Sequence, residues 1–233
     1  LCEVMFETSI TNEAELFQAF QNTLNEWKEL LKTSRGKLSR SHQVGLYGEL
    51  WLLKNILLEH LDASDAVQSW RGHTRAAQDF QRPEGFGIEV KTTSENVPSG
   101  FNISNAQQLD DSSFQGLFIA LVQVNQNRAA GQSLNDLVDE LLEQLDSPTH
   151  QQFQRALMRV GYDKKHKDHY KDLYHFKTVE FYQVKEGFPR LIRGESIPEG
   201  IKEVSYKVST DACNDFKVHP EKVTEFLLRN PES

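Results

Sequence analysis

The sequence predicts an α/β domain, on three observations. Apolar residues at 3–4 spacing alternate along the chain with short runs of period two, the signatures of helix and strand. Through residue 122 the elements follow the order α-β-β-β-α-β. Gly116 to Val122 is a nearly continuous apolar run, as expected of a strand buried on both faces.

Phe17, Phe20, Leu24, Trp27 and Leu31 predict an amphipathic helix over 12–33, with Asn12 and Glu15 as a capping box. Ser34 to Arg40 reads as a polar, basic connector. Leu46, Leu50, Leu53 and Leu57 then form the stripe of a second helix, flanked by Ile56 and ending near His60. Val67 to Trp70 reads as a short strand. Ala76 to Phe80 and Ile88 to Lys91 form a hairpin around Arg82-Pro83-Glu84-Gly85, where Pro and Gly supply the turn chemistry. With that loop Arg82 pairs with Phe86, and Asp79 lies opposite Glu89. Ser94 to Gly100 is a turn-rich loop, and Ser104 to Leu109 a short helix.

Ser133 caps a helix carrying Leu134, Leu137, Val138, Leu141, Leu142 and Leu145, and another helix follows over 151–160. Phe176 to Val184, Arg190 to Arg193 and Glu203 to Ser209 read as strands. Pro220 opens a final helix with Val223, Phe226 and Leu227 on one face. A single domain over 1–233 is expected, with a core at about 40–125 and a helical, strand-rich extension at about 130–233.

No apolar run reaches the ~18 residues of a membrane span. No signal peptide is evident, and Leu1 in place of Met suggests residues upstream. Cys2 and Cys213 offer neither a disulfide framework nor metal spacing, so a reducing cytoplasm is the default. The 26 basic and 34 acidic residues give a net charge of −8, whereas nucleic-acid binders are usually basic. Lys164 to Lys177, with five lysines, three histidines and interleaved aromatics, reads either as a phosphate-neutralising patch or as a solvated loop. His166 and His169 lack a third ligand. No phosphate-cradling glycine loop and no Ser or Cys triad is present, which argues against nucleotide-driven chemistry.

Ile88 and Val90 face one way, Glu89 and Lys91 the other. Asp79 joins the second pair to give two carboxylates and a lysine on one face, the outline of a divalent-metal site. The alternative is a cross-charge pair worth ~0.2–1 kcal/mol. Glu49 falls inside the edge of an apolar stripe, where a carboxylate is costly unless it is paired, bound to a metal or led out to solvent; Arg71 and Lys54 are candidate partners. Gly45 and Gly48, one turn apart, would let another backbone come close. His73 and Arg75, in the loop before Asp79, are candidates for phosphate contact.

Gly45-Leu46-Tyr47-Gly48-Glu49-Leu50 on a helix, an aspartate before a tight turn, and Glu89-Val90-Lys91 on the next strand together resemble the PD-(D/E)XK nuclease superfamily. More narrowly, the chain resembles an uncharacterised bacterial branch found beside restriction and phage-defence genes. The resemblance is densest from Val44 to Leu121 and weaker through 188–191 and 201–206. It departs at Gln78, which stands where the motif has proline. The resemblance implies a restriction-endonuclease-like core, a mixed central sheet flanked by helices, and an active site of Glu49, Asp79, Glu89 and Lys91. Asp79, Glu89 and the Val90 carbonyl would bind Mg²⁺, or Mn²⁺ in its place, and Glu49 a second ion or a water. Lys91 would act on the attacking water. Gln107 and Gln108 sit where related nucleases place a substrate-contacting glutamine.

The implied activity is that of a Mg²⁺-dependent DNA endonuclease in a restriction or phage-defence system, with DNA and protein subunits of a defence complex as partners. The alternative is a non-catalytic nucleic-acid-binding or scaffolding subunit, and an RNase on the same fold is a third reading. Cutting both strands would need a homodimer or a partner. The helix from Leu134 to Leu145 and the closing one with Phe226 to Leu228 are the candidate contact faces.

Overall fold

The computed structural model describes residues 37–72, 74, 76–82, 85–126 and 130–229. The expected 12–33 helix and residues His73, Arg75, Pro83 and Glu84 lie outside them.

Ser39 caps helix α1 (Arg40–Leu52), its hydroxyl accepting the His42 amide at 3.3 Å. The helix continues through a π turn, Leu53–Leu57, and ends at Leu58–His60. Leu46, Leu50, Leu53 and Leu57 are all buried, so the predicted stripe is its core face. A short helix α2 (Ala63–Ser69) occupies the stretch read as a strand from Val67 to Trp70. The β-branched Val67 and the aromatic Trp70 suggested strand, but packing decides: Ala66 and Val67 turn inward, and Ser69 donates to the Ala66 carbonyl at 2.7 Å. Trp70 alone is extended and bridges Phe80. The order α-β-β-β-α-β changes accordingly.

Strand β1 (Phe80–Gln81) pairs antiparallel with β2 (Phe86–Thr93), Phe80 opposite Ile88 and Gln81 opposite Gly87. The Arg82 amide donates to the Phe86 carbonyl at 2.9 Å, and continuing this register puts Asp79 across from Glu89. Strand β3 (Gly100–Ile103) leaves this sheet and pairs with a later strand. A 3₁₀ turn at Ala106–Leu109, capped by Asn105, leads to β4 (Gly116–Gln126). β4 runs parallel to β2. Next come β5 (Gln132–Ser133), α3 (Leu134–Gln144), α4 (Ser147–Arg159), β6 (Leu173–Val184), β7 (Tyr206–Ser209), β8 (Lys217–Val218) and α5 (Pro220–Leu228). The central sheet is mixed and six-stranded, in the order β1-β2-β4-β6-β5 with β8 also on β6. β7 is the partner of β3.

Both faces of the sheet are covered. Ile88, Val90, Phe118, Ala120 and Val122 pack on the helices. Leu117, Ile119, Leu121 and Tyr182 pack beneath Phe101, Ile103 and Val208 of the small sheet. Arg190 to Arg193 is not a strand: the Arg190 guanidinium donates to the Leu109 carbonyl at 2.7 Å and pairs with Asp111 at 2.9 Å, and only Arg193 makes a bridge, to Ile197. The strand read over Glu203 to Ser209 shortens to β7.

Ser133 and Asp136 close a capping box on α3. Leu134, Leu137, Val138 and Leu141 on that helix are fully buried, so it offers no apolar face for self-association. In α5, Phe226 and Leu227 are buried and Leu228 is exposed. Among the described residues no helix is long and apolar enough to cross a membrane.

Candidate active site

Three segments bring the candidate residues together. Glu49 comes from α1, Asp79 from the residue before β1, and Glu89 and Lys91 from alternate positions of β2. Next to Glu49, helix and sheet touch: a Cβ on Gly48 would collide with the Thr92 hydroxyl, so glycine there lets α1 lie against β2. Gly45 faces open space.

β1 starts too late to pair with Val90, and Asp79 takes up the free edge with its side chain. The Val90 amide donates to Asp79 Oδ2 at 2.8 Å. A strand residue's N–H and C=O point to the same side, so the Val90 carbonyl also lies along that edge. The Asp79 main chain is fixed as well, its carbonyl accepting the Arg71 amide at 2.6 Å and the Gly72 amide at 3.2 Å.

Glu89 is only 3% exposed, on the sheet face that carries the core of Phe101, Ile103 and Val208. Glu89 Oε1 accepts Lys91 Nζ at 2.6 Å and Gln108 Nε2 at 2.6 Å. Gln108 Oε1 in turn accepts the Ser104 amide at 2.8 Å. Glu89 Oε2 is buried with no hydrogen-bond partner. Burial, then the charge of Asp79, pushes the Glu89 carboxyl up to about 8 against the pull of Lys91 and Gln108. Burial also raises Asp79 to about 6, opposed by the Val90 amide and Lys91. Glu49 is held well above the usual carboxylate range, chiefly by burial and next by the charge of Asp79. The Trp70 indole N–H, donating to Glu49 Oε2 at 2.8 Å, pulls the other way. Among the described residues Glu49 makes no ion pair with Arg71 or Lys54, and Lys54 pairs with Glu140.

Over residues 1–211 the chain matches the family described as "Putative PD-(D/E)XK family member, (DUF4420)". The chain belongs to this family. No curated protein and no solved structure matches it.

The donor set of this DUF4420 chain fits a hard divalent cation. A buried carboxylate oxygen without a partner, a second carboxylate and a strand-edge carbonyl are all oxygen ligands, and Mg²⁺ is commonly held by one or two carboxylates together with substrate phosphates. Among the described residues no three acidic, histidine or cysteine side chains surround one point, so Glu49 does not complete a three-carboxylate cage with Asp79 and Glu89.

Of the two candidate glutamines, Gln108 enters the site and Gln107 takes part through its main chain. Gln107 and Gln108 carbonyls accept Gln78 Nε2 at 2.8 and 3.2 Å. Gln78, buried where the family motif has proline, thus ties the Asp79 segment to the turn carrying Gln108. Trp70 and Gln78 are the residues sequence reasoning missed. An aromatic at a helix end and a glutamine before an aspartate carry no local mark of either role. The lysine-rich segment begins as a 3₁₀ turn at Lys164–His169 and enters the β6 end that pairs with Gln126, several residues along β4 from Leu121, the partner of Lys91. Three of its five lysines pair nearby: Lys164 with Asp139, Lys165 with Asp163 and Lys171 with Asp168.

Proposed function

We propose that this chain is a metal-dependent DNA endonuclease, working by hydrolysis of phosphodiester bonds within a bacterial restriction or phage-defence system. The observation that carries the reading is the pair of carboxylates Asp79 and Glu89 across the hairpin, with Glu89 Oε2 buried and, among the described residues, unpartnered beside Lys91. A single domain over 1–233 and a cytoplasmic setting belong to the same proposal.

Asp79, Glu89 and the Val90 carbonyl would hold Mg²⁺ or Mn²⁺, which when bound polarises phosphate oxygens and makes water a better nucleophile near neutral pH. Lys91 Nζ orients the attacking water and offsets charge that builds on the phosphate oxygens as the water oxygen bonds to phosphorus. The water gives up a proton to solvent, the bond to the leaving oxygen breaks, and that oxygen takes up a proton from solvent. Glu49 retains its proton above the usual carboxylate range and would steady a water in the site. Gln108 keeps Glu89 and Lys91 in register.

The test is incubation of the chain with plasmid, linear and single-stranded DNA and with RNA, in Mg²⁺ or Mn²⁺, beside Asp79→Ala and Lys91→Ala. Cleavage of DNA that Asp79→Ala abolishes is the expected result. Lys91→Ala should retain calorimetric metal binding and lose at least ~10²-fold in rate, the usual scale for a group acting on a proton or a developing charge. Normal cleavage by Lys91→Ala would sink the assignment. The net charge of −8 favours one rival, a non-catalytic binding subunit. That reading gains if calorimetry finds no metal site sensitive to Asp79→Ala.

A further inference from the structure

We propose that an arginine-lined cleft beside the candidate active site seats the phosphodiester backbone of the nucleic-acid substrate; this rests on the nuclease reading and says where substrate affinity resides. The cleft encloses about 920 Å³ between α2, the β1 end of the hairpin and α4. Arg71, Arg82, Arg155 and Arg159 line it, with Asp65 as its acidic residue. In a chain with 34 acidic against 26 basic residues, four arginines around one concavity are a local reversal of sign. Arginine's planar fork of donors matches phosphate oxygens two at a time.

The arginines differ in how they are held. Arg82 is fixed: its guanidinium donates to the carbonyls of Leu227 and Arg229 and lies over the Phe86 ring at 5.2 Å. Arg71 and Arg155 are exposed, and among the described residues neither is engaged by an ion pair. The wall of the cleft at Arg71 also adjoins the segments that carry the carboxylates. The Arg71 amide bonds the Asp79 carbonyl, its neighbour Trp70 holds Glu49, and a Cβ on Gly72 would collide with Glu49 Oε2. A strand lying on Arg71 would therefore run beside the segment that holds Asp79 and Glu49 in place. An acidic peptide would also satisfy arginines, but only a phosphodiester suits an adjoining site built for phosphate chemistry. The lysine-rich segment at 164–177 is remote along the sheet, and three of its five lysines are already paired with acids.

The experiment is fluorescence anisotropy of a labelled DNA duplex with the full chain in EDTA, over a range of KCl. Arg71→Ala/Arg155→Ala should raise Kd at least ~10-fold, as two charge-assisted contacts to phosphate are lost. It should also lower the slope of log affinity against log salt by roughly 1.8, the counterion release of two phosphates. Lys164→Ala/Lys171→Ala should change neither. In Mg²⁺ the arginine double variant should raise KM with kcat retained. An unchanged Kd and slope overturns the cleft, as does displacement of the duplex by poly-glutamate more readily than by unlabelled duplex. Cleavage by the wild type with an unchanged slope sinks the cleft and leaves the nuclease reading standing. A slope lost in the double variant without any wild-type cleavage does the reverse.

Discussion

The Asp79–Glu89–Lys91 site and the segment from Lys164 to Lys177 are both dense in charge, yet they are built in opposite ways. In the segment, lysines sit in solvent and pair with nearby acids, and such exposed pairs contribute ~0–1 kcal/mol. At the site Glu89 is almost fully buried, one of its oxygens lacks a partner, and its carboxyl is raised to about 8. Burying a carboxylate with an unpartnered oxygen lowers stability and makes it ready for a ligand. Where charge is buried, and not how much of it the sequence carries, separates the two regions.

Gly48→Ala should cost the most stability, because α1 must back away from Thr92 on the strand that carries Lys91. Beyond the Thr92 hydroxyl, the new Cβ would still meet Thr92 Cβ at 3.0 Å and Cγ2 at 3.1 Å. The overpacking should destabilise by ~1–3 kcal/mol, against at most ~1 kcal/mol gained in helix propensity. Urea unfolding measures it. A stabilised Gly48→Ala would mean that helix and strand are not tightly packed behind the site.

Stability should also depend on pH at the site. Asp79 and Glu89 bind protons more tightly in the folded chain, so above the ordinary carboxylate range the folded state carries the extra protons and stability falls as pH rises. The decline should run through about 6 for Asp79 and about 8 for Glu89. In EDTA, Tm should therefore drop by a few degrees between pH 5 and pH 9, about the shift expected from 1–2 kcal/mol in a domain of this size. Mg²⁺ or Mn²⁺ should restore it at the alkaline end, and Glu89→Gln should flatten the profile. A Tm that climbs across this window in EDTA would remove the contrast with the lysine segment.

The smallest effect belongs to that segment. Lys164→Ala/Lys171→Ala should alter unfolding free energy by no more than ~0.5 kcal/mol and leave the pH profile unchanged, as exposed pairs normally do. A loss of 2 kcal/mol or more would show that the segment is structural after all.

The sequence by itself determined the local features. Pro83 and Gly85 between two period-two runs set the register that places Asp79 across from Glu89, because hairpin register follows from turn length and alternation. The Leu46 to Leu57 stripe and the Ser133 cap were equally legible, since each is complete within a few turns of chain. Only the tertiary structure decided what non-local packing controls. It turned Val67 into helix, buried Glu89 on the face that carries a second core, tied Gln78 to the turn of Gln108, and gave Glu49 the indole of Trp70. It also gathered Arg71, Arg82, Arg155 and Arg159 from three separated segments into one cleft. Neither burial nor the meeting of distant side chains is a property of spacing along the chain; both follow from which surfaces exclude water together once the sheet and helices have packed.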